Sequence, residues 1–356
     1  MRYRVFIIFL AIAGLVIGIT GGLQRLGWVL PFPTSHAVFF HGPLMICVFL
    51  GTVISLERAV AIGKTWPYLA PLTAGLSGLM LFSGMFSIAI WMLMIASVIY
   101  VIAMIYLFLR QRISHVLVLF IGALSWFIGN IIWLLDFPIH VAVLWWMNFL
   151  LLTIAGERLE LTRFLPASRL SKVLFFWITF LLFISACIPI LTTNGLNFVL
   201  FSFALAALAM WLLWYDIARK TIKQQGVTRY IAVCLLSGYC WLLVAALIGL
   251  SATPLTSGGS YDAFLHAVFI GFVFSMIFGH AVIIFPAILK IKMHYNKILY
   301  LALFALHSSL LVRVAGDLLQ ITPYKKISGM LTVFALIIFF ITNVIATPRR
   351  NSNSPT

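Results

Sequence analysis

The run FSIAIWMLMIASVIYVIAMIYLFL, residues 86–109, holds 24 consecutive residues without a charge and is closed by Arg110-Gln111-Arg112. A helix needs about 20 apolar residues to cross the hydrocarbon core of a bilayer. A transmembrane β-strand would instead alternate polar and apolar residues over about 10 positions, which this run does not do. The stretch therefore reads as a membrane-spanning helix, and the rest of the chain shares its character. Of 356 residues, 64% are hydrophobic and 8% charged, with a mean hydropathy of +1.16. Soluble domains carry about 25% charged residues. The composition excludes a cytosolic globular enzyme, a disordered chain and a secreted disulfide scaffold.

Breaks at charged, Pro and Gly-rich points divide the chain into twelve predicted spans: 5–23, 37–62, 67–84, 86–109, 113–135, 139–161, 172–191, 196–215, 230–250, 263–289, 297–313 and 327–346. The expected fold is an all-α polytopic membrane protein, with residues 347–356 as a short tail. Only Ser83-Gly84 separates the third span from the fourth. Arg2 and Arg4 before the first apolar run resemble a signal peptide, but no small-x-small cleavage site follows, so a retained helix is expected.

The formal net charge is +16. In a soluble chain it would suggest nucleic acid. Here the cations sit in short turns, so the expected partner is the lipid bilayer and no nucleic acid. With twelve spans, 19 of the 23 Lys and Arg fall on one side; Arg25, Arg313, Lys325 and Lys326 fall on the other. One missed span would invert every later turn. The positive-inside rule then predicts both termini in the cytoplasm.

Phe49-Leu50, Ile54 and Glu57-Arg58 recur 100 residues later as Phe149-Leu150, Ile154 and Glu157-Arg158. His266-Ala-Val-Phe269 copies His36-Ala-Val-Phe39. Spans two, six and ten thus read as equivalent members of three parallel four-helix units.

Polar groups inside a bilayer are costly and point to function. Eight histidines are therefore the main chemical signal. His36, His41, His140 and His266 fall near the outer ends of spans two, six and ten, and His307 near the middle of span eleven. His115 and His294 lie near the cytoplasmic face, where interfacial polar residues are expected. His266 and His280, 14 residues apart, share a face of a regular helix to within about 40° but lie about 21 Å apart along it. They are expected to serve an outer and an inner level. Neutral imidazole ligates haem iron and copper. His41, His266 and His280 are the metal candidates. His41, His266, His36, His140 and His307 are the candidate cofactor ligands. Met45, one turn after His41, is expected to line such a site. Arg313, with Asp317 beside it, suits a cofactor carboxylate.

Glu57 and Glu157 are the candidates for a proton path from the cytoplasmic face. Trp28, Trp126, Trp133, Trp145 and Trp146 suit interfacial or packing positions. Cys47, Cys187, Cys234 and Cys240 all lie in apolar runs without a C-x-x-C pattern and read as small buried hydrophobes.

The run His266-Ala-Val-Phe-Ile-Gly271-Phe-Val-Phe-Ser-Met276 resembles the corresponding helix of NnrS family proteins, twelve-span bacterial membrane proteins that contain haem and copper. His41 and Met45 resemble that family's His- and Met-bearing second helix, though its closely spaced H-x-H pair is absent. The resemblance implies haem, with copper as a second cofactor, a role in nitric oxide stress or haem–copper homeostasis, and the bacterial cytoplasmic membrane. A small diatomic ligand or an electron donor would be the corresponding partner, with haem-dependent redox activity. No hydrolase or transferase motif is present. The arrangement of spans also resembles the catalytic subunit of haem-copper oxidases, but residues 172–191 contain none of the adjacent histidines that family's copper site needs. Two other readings compete: a proton-coupled secondary transporter using the same histidines as a relay, and a non-catalytic assembly or sensor subunit.

Overall fold

The computed structural model describes residues 2–30, 35–162, 169–191, 196–252, 254–291 and 294–345. The predicted tail 347–356 lies outside them. The described residues are helical, with no strand among them. Twelve long helices follow in order: α1 Arg2–Arg25, α2 His41–Ile62, α3 Leu69–Phe82, α4 Phe86–Gln111, α5 Ser114–Leu134, α6 Ile139–Leu161, α7 Arg169–Leu191, α8 Leu196–Tyr215, α9 Gly226–Ser251, α10 Gly258–Leu289, α11 Leu299–Leu318 and α12 Thr322–Ile345. All except α3 are long and apolar enough to cross a membrane, which makes eleven candidates among the described residues. Helix α3 has 14 residues, about 21 Å of rise. The predicted third span is shortened because a 3-10 turn at Trp66–Tyr68 takes up its start and Gly84, with φ of +81°, turns the chain into α4.

Sequence neighbours pack against one another, as short connections demand. The circle closes where α1 meets α12. There the Trp28 indole donates to the Lys326 carbonyl at 3.0 Å and the Lys326 ammonium lies over the Trp28 ring. Helix α6 is the most enclosed, with 83% of its central window buried. Its Trp146 donates to Asn130 Oδ1 of α5 at 3.0 Å, while the Asn130 amide donates to the Leu93 carbonyl and to Ser97 Oγ of α4. Trp126 stacks on Phe149 with centroids 5.1 Å apart. Trp126, Trp145 and Trp146 are therefore packing residues, all buried.

Helices α2 and α10 approach each other through the stacked rings of Phe49 and Phe274. Each contains a π-helical stretch, Leu44–Leu50 in α2 and Ala267–Phe274 in α10. Each stretch begins within three residues of a histidine, His41 or His266. A π turn holds one residue more than an α turn, so the stretch in α10 turns the two ends of that helix by about 100° relative to a regular helix. His266 and His280 consequently do not share the face that a straight α-helix gives them.

Candidate cofactor site

Helix α1 carries glycines at positions 14, 18 and 22, one turn apart. Small residues at this spacing let two membrane helices approach closely. A methyl group on Gly14 would meet Val48 Cγ1 at 2.7 Å, one on Gly18 would meet Met45 Sδ at 2.7 Å, and one on Gly22 would meet His41 Cε1 at 2.8 Å. The bare backbone is thus what lets His41 fold down on α1, where its Nδ1 lies 2.7 Å from the Gly18 carbonyl. A carbonyl only accepts, so Nδ1 carries the proton and Nε2 keeps its lone pair. His266 is held the same way, with Nδ1 2.6 Å from the carbonyl of Asp262 one turn earlier. Among the described residues neither Nε2 has a hydrogen-bond partner. Metal-ligating histidines characteristically donate their second ring nitrogen to a carbonyl or carboxylate, which fixes tautomer and ring orientation.

Both rings line one cavity of about 350 Å³ at the outer end of the bundle, enclosed by α1, α2, α6, α10, α11 and α12. The size lies within the range of small-molecule and cofactor sites. Its walls include Leu50, Val143, Phe274, Leu336 and Met45. Its charged groups are Arg25, Asp262 and Arg313. Arg313 Nε donates to Asp317 Oδ2 at 2.6 Å, and its Nη2 lies 3.8 Å from Asp262. Lys325 Nζ stands 3.7 Å from Asp317. Outward here means the end away from the charge-predicted cytoplasmic side.

The other sequence candidates lie elsewhere. His36 is exposed on a short helix, Ser35–Phe39, with its ring edge on Phe86. His140 is half-buried on α6 and is not part of the cavity lining. The His307 ring is bonded at both nitrogens: Trp241 Nε1 donates to Nδ1 at 2.9 Å, and Nε2 lies 2.9 Å from Ser237 Oγ. His280 faces the inner end, where its Nδ1 lies 2.7 Å from the Met276 carbonyl and Arg158 Nη2 lies 3.1 Å from its Nε2. His41 and His266 are thus brought together, and His36, His140, His280 and His307 are not. Among the described residues no three His, Cys, Asp or Glu side chains are grouped to hold a metal ion.

The inner end holds a second polar cluster. Arg58 of α2 pairs with Glu157 of α6 and stands 3.6 Å from Glu57. Arg158 reaches from α6 to His280 of α10 and lies 4.0 Å from Asp216, just past the end of α8. Asp216 also accepts from the Ala218 amide at 2.6 Å and from the Tyr239 hydroxyl at 3.2 Å. Burial pushes its carboxyl above the ordinary range, opposed by the Arg158 guanidinium and those two hydrogen bonds. The Glu57 and Glu157 of the predicted proton path are thus members of an ion-pair network at this end.

Sequence reasoning missed Arg25 and Asp262 as cavity residues and Gly18 and Gly22 as the seat of His41. The glycines had a visible signal in their four-residue spacing. Arg25 and Asp262 had only their place next to helix ends.

Compared with solved structures, the chain superposes on a heme-copper terminal oxidase, determined as a dimer by cryo-EM, with a TM-score of 0.66 over 99% of this chain and 86% of that one. The two share 13% sequence identity, so the likeness is one of fold. No curated protein matches the chain by sequence. The family described as a domain of unknown function (DUF8744) matches residues 4–348, nearly the whole chain. The two-histidine cavity therefore sits in a member of the DUF8744 family.

Proposed function

We propose that this chain is a twelve-crossing membrane protein that binds one haem in the outer cavity, where His41 and His266 would hold its iron. One observation carries the reading: two imidazoles from separate helices, each fixed by a backbone carbonyl at Nδ1, line one shared cavity, and neither Nε2 has a hydrogen-bond partner among the described residues. The oxidase fold and the apolar walls agree with it. Arg25 and Arg313 supply the cationic groups that a cofactor bearing carboxylates needs. Bound haem would supply one-electron chemistry. Met45 adds a thioether to the two imidazoles on the cavity wall, a donor set that would also accept copper.

Helix α3 counts as a crossing in this proposal because it restores the 19-to-4 division of cations, and with it cytoplasmic termini. The nitric oxide or homeostasis role implied by the NnrS resemblance rests on the α10 motif, which forms part of the same cavity wall. The purified, membrane-extracted chain is expected to show a Soret band and about one haem per chain, with the spectrum of imidazole-ligated haem. A preparation with neither iron nor a Soret band, yet active in proton-driven substrate flux in proteoliposomes, would replace this reading by the transporter.

A further inference from the structure

A second concave surface lies on the opposite flank, between α7 and α8. It is a groove of about 460 Å³ lined by Leu174, Trp177, Leu181, Met210, Trp211 and Trp214, among others. The lining positions recur every three or four residues on both helices, so one face of each forms a wall about 10 Å long. Trp177 and Trp214 are each 65% exposed, and Met210 is 52% exposed, so the groove opens to the surroundings of the bundle. The Trp211 indole donates to the Ser171 carbonyl at 2.9 Å, which ties the inner ends of the two helices together at the floor.

The mouth of the groove is cationic. Arg169 and Lys172 are exposed at the start of α7, and Arg219 and Lys220 are exposed just beyond α8. The Arg219 guanidinium bonds the Trp214 carbonyl at 2.5 Å and lies over the Trp214 ring. Between residues 164 and 229 the sequence has a single acid, Asp216. It is fully buried and turned to Arg158, Tyr239 and the Ala218 amide. No acidic side chain in this stretch is left to neutralise the four cations. An apolar, tryptophan-lined trough that ends in uncompensated positive charge at the membrane surface matches an acyl chain that ends in a negative headgroup.

We infer that the α7–α8 groove is a binding site for an anionic phospholipid, one acyl chain lying on Trp177, Met210 and Trp214 and the phosphate meeting Lys172 and Arg219. The site is independent of the outer cavity. The test uses the purified full-length chain in detergent, with native mass spectrometry after addition of phosphatidylglycerol or phosphatidylcholine. Phosphatidylglycerol is expected to be retained several-fold more than phosphatidylcholine, and the preference to shrink in high salt. The double variant Lys172→Ala, Arg219→Ala is expected to bring phosphatidylglycerol down to the phosphatidylcholine level. Lys64→Ala, which removes an exposed cation elsewhere on the same side, should leave it unchanged. Equal retention of the two lipids by the unmodified chain would overturn the assignment, as would a salt-independent preference. A dimer in solution cross-linked through Trp177 and Trp214 would give the groove to a second copy instead.

Discussion

The outer cavity and the inner cluster both place histidines beside arginines and carboxylates, yet they treat the imidazole differently. At the outer end, His41 and His266 each spend one nitrogen on a backbone carbonyl, line a cavity, and have no partner for the other nitrogen among the described residues. At the inner end, His280 has the same carbonyl contact one turn back, but its other nitrogen meets Arg158. His307, in the middle of α11, is likewise engaged at both nitrogens. A histidine's role in a membrane bundle is thus read from its second nitrogen, and its residue type and depth do not decide it. The same contrast holds for charge. Arg313 and Arg25 border a space, whereas Arg58 bridges α2 to α6 and Arg158 bridges α6 to α10.

The largest effects should come from the two ends separately. His266→Ala or His41→Ala is expected to lower haem content by more than about tenfold with helix content unchanged, measured by haemochrome analysis and circular dichroism. If either variant keeps full haem content, the outer end loses its distinction from the inner. Arg158→Leu should cost about 1–3 kcal/mol of stability, because it removes the guanidinium that faces buried Asp216 and bonds His280; thermal unfolding in detergent reads it. Asp216→Asn should cost much less. A carboxyl raised by burial binds its proton more tightly folded than unfolded. Its contribution is full below the unfolded pKa and is lost as pH rises through the folded one, so the Asn variant should flatten that slope.

Smaller effects sharpen the comparison. Gly22→Ala puts a methyl 2.8 Å from His41 Cε1 and should weaken haem retention while leaving the inner cluster intact; partial haem loss with an altered Soret maximum is the expected signature. His280→Ala should leave haem content unchanged and cost about 1 kcal/mol, the worth of an interhelical hydrogen bond. Haem loss in this variant as large as in His41→Ala would erase the difference between the two levels.

Most of the helices were legible because twenty-residue apolar runs admit few other structures. The exception was the third, where hydropathy is high but a 3-10 turn and Gly84 shorten the helix to Leu69–Phe82. For the candidate site, position near helix ends was enough to single out His41, His266, Met45 and Arg313. It could not separate them from His36 and His140, since apolar sequence does not say which way a helix face turns. The π stretches are a second reason. Nothing in Leu44–Leu50 or Ala267–Phe274 marks a change in hydrogen-bond register, yet that register sets the direction of every residue beyond it. His36-Ala-Val-Phe39 was the closest sequence match to His266-Ala-Val-Phe269, but it is His41 that shares the cavity with His266.

The meeting of α1 with α12 has a consequence for biosynthesis. The cavity borrows its wall from α1 and α12: Gly22 and Arg25 emerge from the ribosome long before Ser328, Thr332 and Leu336. A nascent chain can present His41 early, but the pocket around it lacks a wall until α12 is inserted. Loading of any ligand there is therefore a late event, and a chain truncated before α12 would reach the membrane with eleven helices and no closed chamber.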